Sequence, residues 1–145
     1  MKTVPETAQI SSAFEERGRP DVLKWDVIDV KNVASIRVIF ESASFEGRHG
    51  VWLMTEGTLH VNGARAASFD LWQDTAPPCV EIGIESKRGK LHVYNIWDRG
   101  AGRRSQAWTS GMLVEELPNG RRYKCNDIGF SEAFDSVVFR LELAV

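Results

Sequence analysis

In the C-terminal stretch VVFRLELAV, Val137, Phe139, Leu141, Leu143 and Val145 alternate with Val138, Arg140, Glu142 and Ala144. Successive side chains of an extended chain point to opposite faces, so the first set predicts a strand face turned toward a core. The same period of two recurs from Asp21 onward. It marks strands at 22–30, 34–42, 51–56, 58–62, 67–72, 79–86, 91–98, 112–117, 121–126 and 137–145. Short runs of this kind, separated by Gly, Asn, Pro and charge clusters, predict an all-β chain of about ten short strands. The expected architecture is an antiparallel β-sandwich of jelly-roll type, with a closed calycin-like β-barrel as the alternative.

Only residues 1–20 break the pattern. Thr3 and Glu6 have capping-box spacing, Pro5 sits in the permitted first turn, and Ile10, Ala13 and Phe14 fall on one helical face before Gly18 and Pro20. This predicts one short N-terminal helix and lead-in to a single domain spanning 1–145.

Two turns set the expected registers. PNG at 118–120 reads as a type I turn with Gly120 left-handed, so that Leu117 flanks Arg121, Leu113 meets Cys125 and Glu116 meets Arg122, with Tyr123 and Cys125 inward. KRG at 87–89 reads as a three-residue hairpin loop with positive φ at Gly89. That register puts His92, Tyr94 and Ile96 with Val80, Ile82 and Ile84 on the core face. It leaves Trp97, Asn95, Val93 and Leu91 on the other face, with Glu81 opposite Asn95. The same meander places KRGK and PNGRR at one end of the strands. DRGAGRRSQAWTSG and DIGFSEAFDS fall at the other, gathering Asp98, Arg99, Arg103, Arg104, Trp108, Asn126, Asp127 and Asp135.

Composition narrows what such a surface does. The chain has 145 residues, 43% of them hydrophobic and 26% charged, which fits one globular domain and argues against disorder. No apolar run is long enough to cross a bilayer, and the N-terminus lacks a secretory h-region, so no membrane partner and a cytoplasmic location are expected. A formal net charge of −2 argues against a nucleic-acid partner. Cys79 and Cys125, outside any CxxC pair and with no secretory context, are expected to remain unbonded, with Cys125 a small buried hydrophobe.

Catalytic chemistry is thin. His49, His60 and His92 form no HxH or HExxH motif and no nucleophile spacing, and Glu81 with Asp98 is the one carboxylate pair to propose, so a small hydrolase ranks third. Asp98, Asn126, Asp127 and Asp135 are oxygen donors for a cation, but the neighbouring arginines compete for them and salt bridges are the stronger expectation. No cofactor is implied. The expected function is a non-enzymatic binding module for a polar ligand, most naturally a carbohydrate. Trp97 would be its platform, with Asn95, Glu81, Asp98, Arg99, Arg103, Arg104 and Trp108 around it. The alternative is a protein-interaction or homodimerisation module in which tryptophans and arginines form a hot spot.

Overall fold

The computed structural model describes residues 4–145. It is antiparallel β-sheet almost throughout, with ten strands and one short helix. The strands are β1 (Gln9–Ile10), β2 (Val22–Asp29), β3 (Ser35–Ala43), β4 (Arg48–Val61), β5 (Ala64–Trp72), β6 (Cys79–Asp98), β7 (Arg104–Ser105), β8 (Gly111–Leu117), β9 (Gly120–Asn126) and β10 (Val137–Ala144). Their order is β1-β2-β8-β9-β10-β3-β6-β4-β5, and β2 also pairs with β6, so the sheet folds over a common core. The sandwich-like all-β architecture expected from the alternation is present. No helix among the described residues is long and apolar enough to cross a membrane.

The N-terminal helix is shorter than expected. Thr3 lies outside the described residues, and α1 spans Ser12–Glu15 with Ser11 as its N-cap, while Gln9 and Ile10 pair with β2. Ala13 and Phe14 are buried as the helical pattern requires, and Gly18 takes φ +81° just beyond the helix. Serine is as good a cap as threonine, and the strand pairing of residues 9–10 claims the segment that would have been the first turns.

The largest departure is that four expected strands are two. Residues 51–56 and 58–62 lie in one strand, β4, and 79–86 and 91–98 lie in another, β6. Gly89 does adopt a left-handed φ of +67°, but it forms an irregularity within β6 instead of a hairpin turn, and its carbonyl accepts from Val30 N. Glycine at positive φ serves a bulge and a turn equally well, so the residue type could not distinguish them.

This irregularity inverts the expected face assignment. Ser86 opposes Gly57 and Leu91 opposes Thr55. Two steps on β4 are therefore matched by five on β6, an odd number, and Leu91 lands on the side of Ser86 and Ile84. Thr55 Oγ1 donating to Ser86 Oγ at 2.7 Å fits that placement. Leu91, Val93, Asn95 and Trp97 thus join Val80, Ile82 and Ile84 on the core side, and His92 and Tyr94 turn outward.

The core holds Ile36, Val38, Leu53, Leu59, Ile82, Val93, Tyr123 and Phe139, all fully buried. On β10 the alternation holds for Val137, Phe139 and Leu141, while Leu143 is half-buried and Val145 exposed. The turn before β9 is tighter than expected. Leu117 pairs with Gly120, Glu116 with Arg121 and Met112 with Cys125, leaving Pro118 and Asn119 as the loop. Gly120 is not left-handed; a Cβ there would collide with the Leu141 carbonyl, so glycine permits the close approach of β10. Tyr123 and Cys125 still point inward, because the strand's own alternation is unchanged.

Candidate functional site

Trp97 cannot act as an outward platform: it is 1% exposed and pairs with His49 across β4 and β6. Asn95 shares its buried side, whereas Glu81 is exposed on the opposite face, where Arg37 Nε donates to it at 2.7 Å. Glu81 and Asp98 lie at opposite ends of β6, so they are not a catalytic pair. Asp98 instead closes its own loop, accepting from Gly100 N at 2.8 Å and Gly102 N at 3.2 Å. Arg103 crosses to β5 and makes a two-point pair with Asp70, at 2.7 and 3.0 Å. Arg99 approaches Glu46 at 3.6 Å, and Arg104 lies in β7, paired with Trp97.

The oxygen donors proposed for a cation are put to other uses. Asp127 is fully buried, Asn126 donates to the carbonyls of Thr109 and Gly129, and Asp135 is exposed. Among the described residues no cluster of three or more His, Cys, Asp or Glu side chains has metal-holding geometry.

The buried groups form a base under the loop end. Asn95 Nδ2 donates to Asp127 Oδ1 at 3.2 Å, and Asp127 N is bonded to Ser136 Oγ at 3.2 Å. His49 Nδ1 stands 2.8 Å from Asp127 Oδ2, close enough for an ion pair. The approach is too oblique for a hydrogen bond, and both His49 nitrogens lack one. This set joins β4, β6 and the 127–136 loop beneath the surface. Nothing in the sequence announced it, because His49 and Asp127 are far apart in the chain.

Above that base, three loops emerge together. Gly129 N donates to Thr109 Oγ1 at 2.6 Å, tying the 106–110 loop to the 127–136 loop, and Ser44 N donates to Ser136 O at 2.8 Å, tying the 44–47 loop to the same segment. Phe14, Val22 and Phe134 make a second small core under them, against which Phe130 packs with ring centroids 5.3 Å from Phe14. The tips carry apolar side chains in solvent: Phe45 at 104% exposure, Trp108 at 57%, Ile128 at 43% and Phe130 at 36%. Arg17 lies over the Phe130 ring, 4.1 Å from its centroid. Of the expected site residues, Trp108 belongs to this surface and the Asp98–Arg104 loop borders it.

A second aromatic group occupies the outer face of β2, β4 and β6. Trp52 stacks on Tyr94 at 4.3 Å and 13°, and Trp25 meets both edge-on while its Nε1 donates to His92 Nδ1 at 3.0 Å. The rings spend their faces and edges on one another, so this is a satellite core more than an open stacking platform. Burial lowers the His92 pKa below its ordinary value, which suits a neutral imidazole accepting from the indole. Burial likewise pushes the Cys125 thiol well up, consistent with an inert structural cysteine, whereas Cys79 is exposed; both are free.

No protein-family model, curated protein or solved structure matches this chain.

Proposed function

We propose that the chain is a non-enzymatic protein-interaction module whose recognition surface is the loop end bearing Phe45, Trp108, Ile128 and Phe130. The observation that carries it is the exposure of these four side chains on three loops, two of which are each hydrogen-bonded to the third. Single exposed apolar residues are ordinary, but aromatic residues on adjoining loops, with Arg17 over one of them, have the composition of a binding hot spot. Ordering loops on binding costs free energy, and loops already tied to a buried polar base incur less of it. Protein recognition is favoured over the carbohydrate role expected of Trp97, because that ring is in the core.

The test is affinity capture from extracts of the source organism with wild type and with the Phe45→Asp/Trp108→Asp double variant, after equal melting temperatures have been verified. Support requires a protein retained by wild type, not by the variant, that rebinds in purified form. Absence of any such differentially retained protein, together with a monomeric wild type at high concentration, would overturn the proposal.

A further inference from the structure

A cleft of about 420 Å³ lies inside the bend of the β4–β5 hairpin, where residues 73–78 carry the chain from β5 to β6. Its size is within the range of sites that hold small molecules. None of the loop-end apolar residues lines it. Its chemistry comes from Asn62, Asp70, Trp72, Thr75 and Glu81, with the exposed Cys79 at its wall. We propose that this cleft binds a neutral sugar, independently of the protein-recognition surface.

The lining selects that class by elimination. Asp70 and Glu81 contribute carboxylates and no Lys, Arg or His lines the cleft, so an anionic ligand would find no cationic partner there. Each carboxylate is already paired, Asp70 with Arg103 and Glu81 with Arg37, which offsets the charge a cationic ligand would need. What remains is hydrogen-bonding capacity without net charge. Glu81 Oε2 and the Asn62 amide make no hydrogen bond within the described residues, and a carboxylate oxygen already bonded once retains a second lone pair. Sugar hydroxyls, which both donate and accept, fit such a set.

The apolar component is Trp72. Arg48 lies over its ring at 4.5 Å from the centroid and is itself held by Asp74 at 2.8 Å, so the indole is fixed before a ligand arrives. Ala76 N donates to Trp72 O at 2.8 Å, which curls the following segment against the same residue. An aromatic residue beside carboxylate and amide groups gives a pyranose an apolar wall and several partners for its hydroxyls.

The experiment is a ¹H–¹⁵N NMR titration of the whole chain with glucose, galactose and N-acetylglucosamine in turn, following the Trp72 indole N–H and the backbone amides of Asn62 and Glu81. Putrescine and inorganic phosphate serve as charged comparators. The expected result is a saturable shift of these signals with at least one sugar at millimolar concentration, and slower alkylation of Cys79 by iodoacetamide when that sugar is present. Asn62→Ala and Glu81→Gln, both at exposed positions, are each expected to weaken binding by about tenfold while leaving the remaining spectrum in place. Absence of a saturable shift with all three sugars overturns the proposal. So does a response to putrescine or phosphate but to no sugar, or sugar shifts that persist unchanged in both variants.

Discussion

At the scale of single residues, the two tryptophans bracketing the 98–104 loop are opposites. Trp97 is 1% exposed and Trp108 is 57% exposed. Removing a buried ring leaves a cavity that the surroundings fill only partly, so Trp97→Ala is expected to cost about 3 to 5 kcal/mol in urea unfolding. Trp108→Ala, on the surface, is expected to change stability by less than about 0.5 kcal/mol. Equal costs for the two would show that the face assignment is wrong. The sequence could not make this distinction, since a tryptophan's burial at 97 depends on whether residues 86–91 add an odd or an even step.

His92 yields a pH dependence of definite sign. Its pKa is lowered by burial from an ordinary 6.5, so the unfolded chain takes up a proton that the folded chain resists. Its contribution to stability is fully present above that ordinary value and is lost as the pH falls through the folded one. Glu41, held low chiefly by its hydrogen bond from Arg122 and opposed by burial, adds a separate loss beginning nearer its ordinary 4.5. Urea unfolding at pH 7.5 and 5.5 checks the first effect. Wild type should lose stability over that interval, and His92→Gln, which keeps an acceptor for the Trp25 indole, should lose less. An identical slope in the two proteins would contradict the burial of a neutral imidazole.

At the scale of elements, β10 was legible because nearly every residue obeys one alternation, with unbroken pairing to β9, and the register shift against β3 at Val138/Phe139 is taken up by the extra residue Glu41 on β3. The continuity of β4 and β6 was not, because Gly57 and Gly89 carry the positive φ that marks loops as readily as bulges. Gly57 sits at φ +148° with the Glu85 carbonyl where a Cβ would be. Gly57→Ala is therefore expected to destabilise the fold by more than about 1 kcal/mol, measured by thermal unfolding. Tolerance of the alanine would mean that β4 does not pass so close to β6.

The loop end depends on Asp127 in a way that no local pattern reveals. Asp127→Ala removes the acceptor for Asn95 Nδ2 and leaves His49 buried without its carboxylate, an effect of at least about 1 to 3 kcal/mol. Hydrogen exchange localises the consequence. Amides of 106–110 and 127–136 should lose protection more than those of β9 and β10, while uniform loss across the chain would deny the pair a specific role in holding the loops.

For the whole molecule, the alternation anticipated that the 98–110 and 127–136 loops meet, as Gly129 N donating to Thr109 Oγ1 shows, but not by the route it implied: residues 87–89 are no turn, and β6 and β8 each pair antiparallel with β2 instead of following one another in a meander. It could not show that Phe45 joins them or that Trp108 stands clear of the surface, because both depend on tertiary contacts among segments distant in sequence. The central claim is that this end is where a partner protein docks. Isothermal titration of the captured partner against Trp108→Ala tests it most directly, with Asn62→Ala as a control in the β4–β5 cleft. The prediction is a loss of affinity of roughly thirtyfold for Trp108→Ala, as expected of a hot-spot residue worth about 2 kcal/mol, at an unchanged melting temperature. Unchanged affinity for Trp108→Ala alongside weakened binding by Asn62→Ala would contradict it.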